Sequence, residues 1–174
     1  MRIILLIILL SRTVYGQDTL RFQSAQRAIN QKGMAVLGSW AIGNMALGFA
    51  GASKQQGIAG YRSQMNGIFN VVNLGLALPA FIKASRPLVL KPQSEAIATN
   101  INLEKVLLFN AGFDFAYIAT GFYLQERGRN AATNANLLKG YGQSLVVQGA
   151  FLLAFDATMH YVHTRNRKKY LRGF

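Results

Sequence analysis

Four long stretches of the chain exclude charge almost completely. Residues 33–53 and 63–82 contain no Asp, Glu, Lys or Arg. Residues 106–125 are broken only by Asp114, and residues 140–164 only by Asp156. A helix needs about 20 mainly apolar residues to cross the hydrocarbon core of a bilayer. Buried helices of a soluble bundle would carry charge along one face every three or four residues, and these runs do not. The pattern predicts an all-α fold: a bundle of four transmembrane helices over about 33–53, 63–82, 106–125 and 140–164.

The segments between the runs are polar. Residues 54–62 form a tight connection, and residues 83–105 form the longest loop, with Arg86-Pro87 and Lys91-Pro92 forcing extended or turn geometry. Asn100 or Asn102 is placed to cap the third helix. Residues 126–139 contain Arg-Gly-Arg-Asn, a turn signal. Each half of the membrane domain (33–164) has a Gly-rich run, a short linker and an amide-rich run. This layout suggests a duplicated helical hairpin.

The first 16 residues have a different character. Met1-Arg2 precedes eight apolar residues, then Ser11-Arg-Thr-Val-Tyr-Gly16. A short basic start, a short apolar stretch and small residues before a cut site describe a secretory signal peptide over 1–16. Eight residues reach only about 12 Å, far short of a span of about 30 Å. Residues 17–32 then form a polar segment suited to a bilayer interface.

Composition sharpens the picture. Charged residues make up 14% of the chain, well below the roughly 25% of soluble domains. The balance is +13, or +11 once Arg2 and Arg12 leave with a signal peptide. From residue 17 onward, twelve Lys and Arg lie in the N-terminal segment, the central loop and the tail, against five in the two hairpin linkers. Such bias prefers both ends in the cytoplasm. A cleaved signal peptide places both ends on the exported side, and that specific event is given the greater weight. No cysteine is present, which excludes disulfides and thiolate chemistry.

Polar side chains inside the runs carry the candidate chemistry. Asn44 lies one turn after Trp40 in the first run. Asn66, Asn70 and Asn73 share one face of the second, as Asn110 and Asp114 do in the third. A mid-span Asp costs about 3 kcal/mol on insertion, while the apolar residues of that run return roughly 4 kcal/mol. Asp114 is therefore expected to face the bundle, and an intramembrane ionisable group is a functional-site candidate. Asp114, Asn110, Asn70, Asn73 and Asn44 are the candidate ligand- or ion-binding set. Gln148, Asp156, His160 and His163 line the fourth run, and Asp156 with His160 at i+4 is a candidate proton-exchange pair. The competing reading of the amides is glue between helices. No metal site is expected: the two histidines share one helix.

The tail, residues 165–174, is basic. Arg165, Arg167, Lys168, Lys169 and Arg172 suit anionic lipid head groups. No recognition motif supports nucleic acid as a partner. Neither phosphate-binding nor nucleophile motifs occur, so no catalysis and no cofactor are expected. A membrane-protein partner or a second copy of the chain remains open.

Three phrases carry a family resemblance. They are Gly33-Met-Ala-Val-Leu-Gly-Ser-Trp-Ala-Ile-Gly-Asn44, Leu108-Phe-Asn-Ala-Gly-Phe-Asp114 with Tyr117-Ile-Ala-Thr-Gly121, and Gln148-Gly-Ala-Phe-Leu-Leu-Ala-Phe-Asp156. The chain resembles an uncharacterised family of small bacterial membrane proteins with a signal-bearing start and four helices. The resemblance implies a multi-pass protein of the bacterial inner membrane and brings no activity. Two functions are expected from the residues. One is binding or transport of a proton, ion or small polar ligand at the Asp/Asn cluster. The other is a structural or accessory subunit whose polar groups only pack helices.

Overall fold

The structure, a computed structural model, describes the backbone of residues 2–170 and the side chains of residues 17–170. The contact expected of Arg172 concerns a residue outside those described. The chain forms four helices: α1 (Arg2–Lys54), α2 (Gly57–Ser85), α3 (Gln93–Arg127) and α4 (Ala135–Tyr170). No strand occurs among the described residues. All four helices are long and apolar enough to cross a membrane. Each contains one of the charge-free runs.

The helices outrun those runs, and the central loop is shorter than expected. It covers only residues 86–92, because α3 begins at Gln93. Pro87 and Pro92 confine the break between them, while residues 93–105 contain neither Pro nor Gly. Buried Ala96, Asn100 and Glu104 continue the stripe of Leu107, Asp114 and Gly121. Asn100 is therefore interior to α3 rather than its cap. Residues 17–32 are likewise continuous with α1, and Phe22 in that segment is fully buried.

Two sharp turns close the other end. Gln55 and Gln56 join α1 to α2, and Gly57 takes a left-handed φ of +62° that disfavours a Cβ. Asn134, at φ 60°, precedes α4. Asn is among the residues that tolerate this geometry.

The chain packs as two antiparallel hairpins, α1–α2 and α3–α4, joined chiefly through α2 and α4. α1 also packs on α4, whereas α2 and α3 make no close backbone approach among the described residues. An edge-to-face contact of Phe69 with Tyr117, centroids 5.2 Å apart, crosses that gap. On α4 the buried positions Gly142, Leu145, Gly149, Leu152, Asp156, Met159, His163 and Asn166 alternate by three and four residues. That is the repeat of helices running nearly along one another.

Burial is inverted relative to a water-soluble bundle. Of the six largest fully buried side chains among the described residues, five are polar: His163, Gln148, Asn70, Asn100 and Ser144. Leu47 and Phe109 are 76% and 67% exposed, and Leu76, Val72, Leu108 and Phe115 face outward with them. Lipid tails solvate such a surface and water does not. The apolar core is small: Leu37, Ala77 and Leu152, with Phe69, Phe151 and Phe155 around them.

Candidate functional site

The polar interior divides into three tiers along the bundle. The first joins α1, α2 and α4 and is made of amides. Gln148 sits at its centre, fully buried. Its Oε1 accepts from Trp40 Nε1 at 3.0 Å, and its Nε2 donates to Asn66 Oδ1 at 3.2 Å and Asn44 Oδ1 at 3.5 Å. Ser144 also donates to Asn66 Oδ1. Asn44 Nδ2 returns to the Trp40 carbonyl at 3.0 Å. On α2, Asn70 donates to the Asn66 carbonyl at 2.8 Å, and Asn73 donates to Asn70 Oδ1 at 3.1 Å. Trp40 stacks on Phe151, centroids 3.9 Å apart, and so fixes α1 to α4. None of the fully buried polar side-chain atoms of this network lacks a partner.

The second tier is a pair of carboxyl groups. Asp114 on α3 is 3% exposed and Asp156 on α4 is 7% exposed. The two helices touch backbone to backbone beside them: a Cβ on Gly149 would stand 2.8 Å from the Asp114 carbonyl oxygen. Side chains on a helix lean toward its N-terminus. In an antiparallel pair the two aspartates therefore lean toward each other, and their carboxyl groups interact electrostatically. Asp114 Oδ2 is buried and has no hydrogen-bond partner among the described residues. Leaving such an atom unpaired costs roughly 1–3 kcal/mol, and more when the group is charged.

The third tier lies at the level of Phe22 on α1 and Asn166 on α4. Glu104 accepts from Arg167 through two parallel bonds, Nε to Oε1 and Nη2 to Oε2, each 2.8 Å. Asn100 also donates to Glu104 Oε1. The His160 ring lies with Nδ1 3.0 Å from the Glu104 carbonyl oxygen. Asn166 donates to the Phe22 carbonyl at 3.2 Å, and Gln23 pairs with the Lys91 backbone at 2.8 and 3.0 Å. His163 is wholly buried, and neither of its ring nitrogens has a partner among the described residues.

The expected single cluster is thus resolved into separate parts. Asp114 meets Asp156 rather than Asn70 and Asn73, which belong to the amide network across α2 and α4. Asn110 stands half-buried one turn before Asp114. Asp156 faces Asp114, while its neighbour His160 is engaged by Glu104. Of the tail residues, Arg167 turns inward to Glu104. Arg165, Lys168 and Lys169 line an open concavity of about 400 Å³ with Tyr161 and Thr164. Lys169 also lies 4.9 Å from the Tyr170 ring centroid.

Glu104, Arg167, Asn100 and Ser144 carry roles that sequence reasoning did not assign. A signal existed for Glu104. It falls on the Asp114 face at helical spacing, in a chain with only six acids. No cluster of three or more potential metal ligands occurs among the described residues.

A model of a family of unknown function, DUF6992, matches residues 36–157. That stretch contains the amide network, both aspartates and Glu104. No curated protein and no solved structure matches the chain.

Proposed function

We propose that this chain, which belongs to that family of unknown function, is a multi-pass protein of the bacterial inner membrane that binds a proton or small cation at Asp114 and Asp156. The observation that carries the reading is the buried Asp114 Oδ2, unpartnered beside a second carboxyl group. Two carboxylates this close in a low-dielectric interior repel strongly, and a shared proton or a cation relieves that repulsion. Intramembrane carboxyl groups of this kind mark ion and proton sites.

The amides have a different role in this reading. Asn44, Asn66, Asn70, Asn73 and Gln148 satisfy one another, which supports helix packing rather than ligand binding. The two hairpins descend from a duplicated unit, and residues 1–16 are a signal peptide. Arg165, Lys168 and Lys169 contact anionic lipid head groups.

Infrared difference spectroscopy of the full chain in lipid tests the site. A protonated-carboxyl C=O band is expected at neutral pH. Asp114→Asn removes it while helical content and assembly stay unchanged. A chain without that band, showing no cation-dependent carboxylate shift, is the structural or accessory subunit of the alternative reading.

A further inference from the structure

The tail-end tier holds buried polar atoms that packing does not explain. A histidine kept for structure uses at least one ring nitrogen in a hydrogen bond. His163 uses neither among the described residues, although it is 0% exposed. Asn100 is equally buried, and its Oδ1 is also unpartnered. The register of the α3–α4 seam brings these two groups to the same level. Gly149 lies against Asp114 and His160 against Glu104, so the antiparallel count sets His163 opposite Asn100. Glu104 is in short-range electrostatic contact with both histidines.

These groups continue toward the aspartate pair in single turns. His163 and His160 are three residues apart on α4, and His160 and Asp156 are four apart, so each is a neighbour of the next on one face. Asp156 then meets Asp114. Toward the opposite end the same seam contains no acidic, basic or histidine side chain: α3 has none from residue 115 to 125, and α4 none from 140 to 155. Gly121 and Gly142 close it there with backbone against backbone, where an added Cβ would stand 2.5–2.7 Å from a facing carbonyl oxygen. The aspartates thus have carboxylate and histidine neighbours on one side only.

We propose that His163 and His160, with Glu104 as their fixed counter-charge, relay protons between the tail end of the bundle and the Asp114–Asp156 pair. The inference rests on the reading of that pair as a proton site. An imidazole accepts a proton at one nitrogen and releases it from the other, so no net chemistry is needed. Arg167 holds the Glu104 carboxylate by a bidentate ion pair, which keeps it beside the rings. Asn100 Oδ1 faces the level of His163 as an acceptor for a ring N–H or for water.

The test follows the same carboxyl band in the full chain reconstituted in lipid. After transfer to heavy water, the isotopic shift of the band times proton exchange at the aspartates. His160→Gln keeps a donor to the Glu104 carbonyl but cannot relay, and is expected to slow exchange roughly tenfold or more. His163→Gln gives the same result should His163→Phe fail to fold. Tyr141→Phe, at the opposite end, leaves the rate unchanged. Unchanged exchange in both Gln variants, with the band still present, overturns the relay and leaves the aspartate site standing. A band that is absent, or that survives Asp114→Asn, removes the site and the relay with it.

Discussion

At the scale of single residues, the amides and the carboxyl groups differ in how completely they are satisfied. Gln148 serves three partners on two helices, Trp40, Asn44 and Asn66. Gln148→Leu leaves the Trp40 N–H without an acceptor and is expected to cost roughly 1–3 kcal/mol, measured as unfolding in mixed detergent micelles. An effect below a few tenths would mean that the network does not hold α1 to α4. Two arginines of the tail make a second contrast. Arg167→Ala strands Glu104 beneath α4 and should cost about 3 kcal/mol, the lower end for a buried pair. Arg165→Ala, at an exposed position, should stay within about 0.5 kcal/mol. The same titration distinguishes them.

Asp114 was legible as an inward-facing group because a central acid in a span of marginal hydropathy has no other stable place. Its partner was not legible. Asp156 is fixed by the register between α3 and α4, and one sequence carries no direct record of register. The Asn stripe of α2 was legible as one face for the same periodic reason. Which neighbour it met depended on α2 packing its backbone against α4 rather than α3.

At the scale of elements, close contact is concentrated at a few glycines. Gly149 and Gly142 let α4 lie directly on α3, whereas Gly43, Gly75 and Gly112 have nothing within 4 Å of an added Cβ. Gly149→Leu should therefore force the hairpin apart and destabilise it by roughly 1–3 kcal/mol, as overpacking does. Gly112→Ala should stabilise slightly, by about 0.5–1 kcal/mol from helix propensity. Melting of the detergent-solubilised protein by circular dichroism measures both. The four runs located these helices correctly, but hydropathy placed their starts too late and their ends too early. The extra turns are polar and still helical, because Glu104, Asn100 and Phe22 are held by partners from other helices and not by their own local sequence.

At the scale of the molecule, the two ends are unequal. Phe22, the 86–92 loop and Asn166 meet at one end through hydrogen bonds between α1, the loop and α4. The opposite end is closed by turns at residues 55–56 and 128–134. The charge count made from the sequence therefore corresponds to one physical end, with twelve Lys and Arg against five. A reporter fused after Phe174 is expected on the exported side if the signal peptide is cleaved. A cytoplasmic reporter would overturn that cleavage and leave the basic end to follow the positive-inside preference.

The gap between α2 and α3 has a consequence for the order of assembly. Each hairpin is closed by contacts between neighbouring helices, whereas the bonds that join the hairpins span 77 to 144 residues of chain. Contacts of short sequence separation form first. The hairpins are thus the early units, and their docking through α4 is the late step that brings the amides of α1 and α2 onto Gln148. Until that step, Asn66 and Asn44 face lipid without their α4 partner. The polar interior then acts as a latch that rewards one pairing of hairpins over any other.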